Sequence, residues 1–217
     1  MNQLCNEFGE IFPNYAPQPM KGTYLCEEQE HPGNPNTFRL FTLNQVEGYS
    51  IPNALVKDDS SIFVKAGTKD LLREDCDGIF LTEQEGKKYL YLCELKSTFS
   101  TQQITKAKNQ LIGSYLKLHS LFSLLQAYHP EEWIVKGIIV SFAPDTETLN
   151  LLSKNREQNK AYDFCFCLYR DKKYTMPTAN CQQFFAPLNL PELTLHYLAV
   201  PNKQKQLSVN FGDLMAV

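Results

Sequence analysis

Residues Asp77 to Tyr115 read DGIFLTEQEGKKYLYLCELKSTFSTQQITKAKNQLIGSY. Two apolar runs, CDGIFLT and KYLYLCELKS, flank the polar segment TEQEGKK, where Gly86 can supply a positive φ; together they predict a β-hairpin. Side chains two residues apart on a strand share a face. Glu94 and Lys96 therefore project together with Leu90 and Leu92 behind them, while Tyr91, Cys93 and Leu95 face the other way. A hairpin returns the start of its first strand to the end of its second, which sets the Asp77 carboxylate beside Glu94.

After Lys96 the pattern changes period. Ser100 with Gln103 fits a capping box. Ile104, Ala107, Leu111, Tyr115, Leu118, Phe122 and Leu125 recur at helical spacing, so a helix is expected from Thr101 to about Tyr128, stopped by His129-Pro130. Gln103, Lys106, Gln110, Gly113 and Lys117 form a second stripe, polar and basic, suited to the phosphate backbone of a nucleic acid. Next comes WIVKGIIVSF (133–142), an apolar run that reads as a central strand buried on both faces.

Working outward, residues 2–12 predict a short helix, and 14–36, rich in Pro, Gly, Asn and Glu, read mostly as loop. Residues 37–66 hold short β-like runs, TFRLFTL, GYSIP and SIFVKAG, which read as a peripheral sheet or an N-terminal elaboration. KDLLRED (69–75) is a helical turn or a loop across the site. ETLNLLSKN is a second helix. YDFCFCLYR (162–170) alternates and predicts a strand with Cys165 and Cys167 on one side and KYTMP pairing beside it; LTLHYLAVP is a further strand. Strands interleaved with helices give a mixed α/β layer architecture. The 217 residues fit a single domain: an elaboration (1–66), a central core (67–145) and C-terminal strands and helix completing it (146–217).

The chain is 43% hydrophobic and 21% charged, with net charge −3, so a sizeable core is expected and any nucleic acid would be met by a local basic patch. No apolar run approaches the ~18 residues of a membrane span, and the first residues lack a basic segment followed by an apolar one. Seven scattered cysteines suit a reducing compartment. The expectation is a cytoplasmic protein, free of the membrane.

Two carboxylates side by side repel, and a divalent cation removes the conflict; hard oxygen ligands suit Mg²⁺ or Mn²⁺. An adjacent ammonium can orient a metal-bound water and stabilise charge building on a phosphate. Asp77, one hairpin, then Glu94-Leu95-Lys96, followed by a capped helix and a buried strand, resembles the PD-(D/E)xK nuclease superfamily over roughly residues 70–142. Asp75-Cys76 stands before Asp77, without the proline. The Gln and Tyr of RecB-like members have a counterpart in Gln110 and Tyr115, one residue further apart than in the Q-x-x-x-Y pattern. The resemblance implies a restriction-endonuclease-like α-β-β-β-α-β core, a mixed sheet flanked by helices. It implies metal held by Asp77, Glu94 and the Leu95 carbonyl, Lys96 acting on the water, and Gln110 supporting the site or touching substrate. Gln103, Lys106, Tyr115 and Lys117 are the expected substrate contacts. The activity implied is metal-dependent hydrolysis of phosphodiesters, of DNA, in a restriction, defence or repair setting, by a chain that can pair as a homodimer or with a partner subunit.

Glu7 and Glu10 are candidates for a further acid, and exposed helix acids explain them equally. No His, Ser or Cys triad is evident, and no Gly-rich phosphate loop. The alternative to an enzyme is a non-catalytic scaffold or assembly subunit of the same fold.

Overall fold

The computed structural model describes residues 1–28, 40–57, 74–177, 192–201 and 204–215. Its centre is the hairpin β3 (Gly78–Gln84) and β4 (Lys87–Lys96), antiparallel from Gly78↔Cys93 to Gln84↔Lys87. Glu85 (φ 49°) and Gly86 (φ 75°) form the two-residue turn, both left-handed as the tightest hairpins require. Helix α2 (Thr101–Phe122) follows, capped by the Ser100 hydroxyl, which accepts from the Gln103 N–H at 3.2 Å. It carries the chain back over the sheet to β5 (Trp133–Phe142), which lies parallel to β4. Such a parallel return needs a crossover of this length.

The rest of the sheet grows from both sides of this unit. On one side β2 (Leu40–Ile51) pairs antiparallel with β3 through Tyr49–Ile51, and β1 (Gln18–Glu27) pairs antiparallel along all of β2. On the other, β7 (Glu192–Val200) runs parallel to β5, and β6 (Lys173–Pro177) runs antiparallel to β7. The order is β1-β2-β3-β4-β5-β7-β6, with β8 (Gln206–Asn210) parallel to the first half of β2.

Strand parity divides the core in two. Leu90 and Leu92 of β4, with Ile79, Leu81, Val135 and Ile139, face the helices. Against them pack α1 (Asn2–Ile11) through Leu4 and Phe8, α2 through Ile104, Ala107, Leu111 and Leu118, α3 (Thr146–Asn155) through Leu152, and α4 (Lys160–Asp171) through Phe164 and Leu168. A Cβ on Gly137 would lie 2.8 Å from Leu111 Cδ1, so the bare glycine lets α2 seat on β5. Tyr91, Cys93 and Leu95 form the opposite face with Ile138, Val140 and Phe80. The curled pair β1–β2 (Tyr24, Cys26, Phe41, Leu43) and the last helix, α5 (Phe211–Met215), cover that face. Phe80 stacks on Tyr91 at 4.7 Å between ring centres.

Several expectations are corrected. Residues 14–36 were expected as loop, yet 18–27 form β1; Pro19 and a bulge at Gly22/Thr23 hide its alternation, and an edge strand tolerates both. TFRLFTL and GYSIP are not separate runs: from Leu40 onward they join as β2 across a left-handed Gln45. The described part of the N-terminal elaboration thus lies within the sheet, and SIFVKAG lies outside the described residues. The segment 162–170 is helix α4, not a strand: Asn159 caps its start, Lys172 closes it at φ 57°, and Phe164, Cys165 and Leu168 bury at helical spacing. The aromatic alternation is a coincidence of Phe166, which is only half-buried and lies under the Arg156 guanidinium. Cys165 and Cys167 therefore do not share a side, and KYTMP pairs with β7 instead. Helix α2 stops at Phe122 rather than Tyr128, where the Ser123 hydroxyl donates to the His119 carbonyl, a local bond that competes with helix continuation. Among the described residues, no helix is long and apolar enough to cross a membrane.

Candidate active site

Asp77 stands where β3 begins and β4 ends. Its N–H donates to the Cys93 carbonyl at 2.9 Å, and its carboxylate Oδ2 accepts the Leu95 N–H at 2.9 Å. The hairpin register thus fixes both the backbone and the side chain of the first acid. Glu94, between those two partners, is 1% exposed. Its Oε1 accepts from the Lys96 ammonium, its neighbour on the same face of β4, and its Oε2 has no hydrogen-bond partner among the described residues. Burial, and then repulsion from Asp77, push the Glu94 carboxyl well above the ordinary carboxylate range; Lys96 and Lys57 pull it back. The structure therefore brings together Asp77, Glu94 and Lys96 as the strand parity requires.

Gln110 works on the backbone of this site. Its Nε2 donates to the Asp75 carbonyl at 2.8 Å, while Ser114, one turn later on α2, accepts the Cys76 N–H at 2.8 Å. These two bonds clamp the strap 75–76 that delivers Asp77. Among the described residues, Gln110 Oε1 is buried without a partner. Through Nε2, Gln110 holds the backbone that leads into Asp77. Ser114 went unnoticed in the sequence, although its i+4 spacing from Gln110 places it on the same helix face.

Lys57 is the other residue missed. Its ammonium lies 3.3 Å from Asp77 Oδ1, with the two side chains 12% and 10% exposed. Burial works against the Lys57 charge, but Asp77, with Asp75 and Glu94 beside it, outweighs burial and the ammonium's pKa is raised. Asn53, just before it in the chain, donates its side-chain amide to the Asp77 carbonyl at 2.7 Å. No periodicity marks Lys57, because it follows a single helical turn, Asn53–Leu55.

The expected substrate contacts divide. Lys106 is exposed and Gln103 half-buried. Lys106 lines a groove of about 740 Å³ with Glu74, Ser100, Asn109, Leu151 and Tyr162. A second cleft, about 500 Å³, opens at Asp77 itself beside Tyr24, Ser50 and Asn53. Tyr115 and Lys117 are corrections. Tyr115 is 4% exposed and stacks on His119, because it continues the apolar stripe of α2. Lys117 is 1% exposed and donates to the Val56 carbonyl at 2.6 Å; burial lowers its pKa. Neither faces solvent. Glu7 is likewise occupied, accepting the Ala127 N–H at 2.9 Å, which ties α1 to the loop before β5.

Among the described residues, no group of three or more His, Cys, Asp and Glu side chains converges. A cation here would have two carboxylates, the Leu95 carbonyl and water. That all-oxygen set fits Mg²⁺ or Mn²⁺, since Mg²⁺ keeps several waters and is commonly held by one or two carboxylates. Sheet geometry supports the carbonyl: backbone groups alternate sides along a strand, and the Leu95 N–H already points toward Asp77. The unpartnered Glu94 Oε2 is the observation that fits a missing positive charge. No family model, curated protein or solved structure matches this chain.

Proposed function

We propose that this protein is a metal-dependent nuclease that hydrolyses phosphodiester bonds of DNA, and that its core is restriction-endonuclease-like. One observation carries the reading: a carboxylate excluded from water, Glu94, keeps one oxygen without a partner beside a second carboxylate. Burying such a charge is costly without a compensating cation. The succession α1, β1, β2, β3, β4, α2, β5, with the last two strands parallel, supports an α-β-β-β-α-β core carrying one additional edge strand, β1. The DNA substrate and a restriction, defence or repair setting follow from the resemblance of Asp77–Glu94–Lys96.

A bound Mg²⁺ or Mn²⁺ supplies positive charge at the phosphate and acidifies the attacking water. Asp77, Glu94 and the Leu95 carbonyl hold that ion. Lys96 orients the water through its ammonium and stabilises the negative charge that grows on the phosphoryl oxygens. Gln110 and Ser114 keep Asp77 in place through the strap. As water attacks phosphorus it gives up a proton to solvent, the bond to the leaving oxygen breaks, and that oxygen takes a proton from solvent, so no net proton is gained or lost.

The test is cleavage of plasmid, single-stranded DNA and RNA with Mg²⁺ or Mn²⁺. Cleavage of DNA that is lost in Glu94→Gln and Lys96→Ala is the expected result. A folded wild-type protein that cuts none of these with either metal rejects the reading. The alternative, a scaffold with the same fold, is favoured by one fact: each carboxylate already has an ammonium close by. A scaffold of that kind gains no thermal stability from either cation.

A further inference from the structure

We propose that Lys57 is the resident counter-ion of the site: it neutralises Asp77 until a divalent cation binds, and then turns to the phosphate of the substrate. The proposal deepens the nuclease reading and rests on it. Lys57 Nζ to Asp77 Oδ1 is 3.3 Å, longer than the ~2.7–2.9 Å of a strong charge-assisted bond. The ion pair is close enough to neutralise the carboxylate and loose enough to be exchanged.

Charge accounts for the second lysine. Once a bound cation has displaced the proton of Glu94, Asp77 and Glu94 carry two negative charges and Lys57 and Lys96 two positive ones, so the four side chains sum to zero. The divalent cation itself then leaves two positive charges uncompensated in a water-poor site. A phosphodiester brings one negative charge, and attack by hydroxide brings the second. The set is thus balanced in the transition state and not before, which is the condition for stabilising it over the bound substrate. With Lys96 alone the balance would fall one charge short.

The local structure fixes the root of the side chain. Lys57 N–H donates to the Asn53 carbonyl at 3.1 Å, and Asn53 is bound to Asp77 through the 2.7 Å amide bond. Just before it, the Val56 carbonyl accepts the buried Lys117 ammonium at 2.6 Å. The backbone is pinned from both directions, so the exchange asks only the four-carbon stem of Lys57 to move. This also gives the buried Lys117 a role: it anchors the residue before Lys57.

Mn²⁺ affinity of Lys57→Met and Lys57→Arg, measured by calorimetry, tests the exchange. Binding of a fluorescein-labelled single-stranded DNA oligonucleotide, measured by anisotropy in Ca²⁺, tests the transfer to phosphate. Removing a competing ammonium should tighten Mn²⁺ binding by Lys57→Met about fivefold, while oligonucleotide binding weakens about tenfold. Lys57→Arg should restore the oligonucleotide affinity. Equal or weaker Mn²⁺ binding by Lys57→Met, or unaltered oligonucleotide binding, overturns the proposal and leaves the nuclease reading standing on its own cleavage test. A wild-type protein that binds no Mn²⁺ overturns both. Lys57→Gln, which keeps a polar head on a shorter stem, replaces Lys57→Met if the latter does not fold, with the same outcomes required.

Discussion

The backbone N–H of Leu95 donates to Asp77 Oδ2 at 2.9 Å, so the strand that carries the second acid also aims the first. Asp77→Asn keeps an oxygen that can accept this bond and loses the charge, and with it the ion pair to Lys57. Asp77→Ala loses all three. Asp77→Asn should fold, lose the stability of that pair and show no thermal shift with Mg²⁺. Asp77→Ala should lose the shift and a further ~1.5–3 kcal/mol of stability, the usual worth of a bond to a charged group. Denaturant unfolding of the two variants, with and without Mg²⁺, separates the contributions. Equal stability of the two would mean that the Leu95 bond does not orient the site.

Glu94 sets stability against metal binding. Its carboxyl is raised by burial and by Asp77, so at pH values between the ordinary carboxylate range and its folded value the native state holds a proton that the unfolded chain has released. Stability of the metal-free protein then falls as pH rises through that window. Glu94→Gln should flatten this slope and melt no lower than wild type in EDTA at neutral pH. Saturating Mg²⁺ should stabilise wild type, by ~2.7 kcal/mol at a hundred times the dissociation constant, and leave Glu94→Gln unmoved. Thermal melts across pH, with EDTA or Mg²⁺, give all four curves; a steeper slope in the variant would reverse the assignment.

The hairpin and its acids were legible because two short-range rules, strand parity and turn chemistry, act within a few residues. The cap at Ser100 was legible for the same reason. Lys57 was not, since what brings it to Asp77 is the curl of β1–β2 and the Asn53 bond, both long-range. Tyr115 and Lys117 show the limit of stripe reasoning. A helix crossing a twisted sheet buries more than one stripe, and residues 111 to 118 of α2 are buried all round. For α4, alternation and helical spacing coexist in YDFCFCLYR, and only packing against α2 and the sheet decided between them.

Lys106 and Lys117 lie on one sequence stripe and should behave oppositely. Lys106 is exposed on the groove beside Ser100, whereas Lys117 is sealed beneath the Val56 carbonyl. Lys106→Ala should leave the melting temperature within a degree or two, weaken oligonucleotide binding and reduce its salt dependence. Lys117→Ala should cost ~2–4 kcal/mol, because it opens a cavity and leaves a buried carbonyl without its donor. Salt-dependent anisotropy and chemical denaturation of both variants check this. Loss of binding in a fully stable Lys117→Ala would return that lysine to the substrate surface.

His196, on β7, is 2% exposed and neither ring nitrogen has a hydrogen-bond partner among the described residues. Burial first, then the Lys136 and Lys173 ammoniums, depress its pKa to about 4. The sign follows from which state binds the proton. Between ~6.5, the unfolded value, and about 4, the unfolded chain is protonated at this residue and the native state is not. The stability that His196 contributes by staying neutral is therefore complete above the unfolded value and is lost as pH falls through the window. The loss amounts to roughly 3 kcal/mol or slightly more by the acid end. His196→Leu removes the titration and two unpartnered nitrogens while keeping an apolar side chain against Ile138, its neighbour on β5. The variant should equal or exceed wild type in stability at neutral pH and lose less stability on acidification. Urea unfolding at pH steps across this window measures both. A variant that follows the wild-type curve would assign the acid sensitivity to the carboxylates instead.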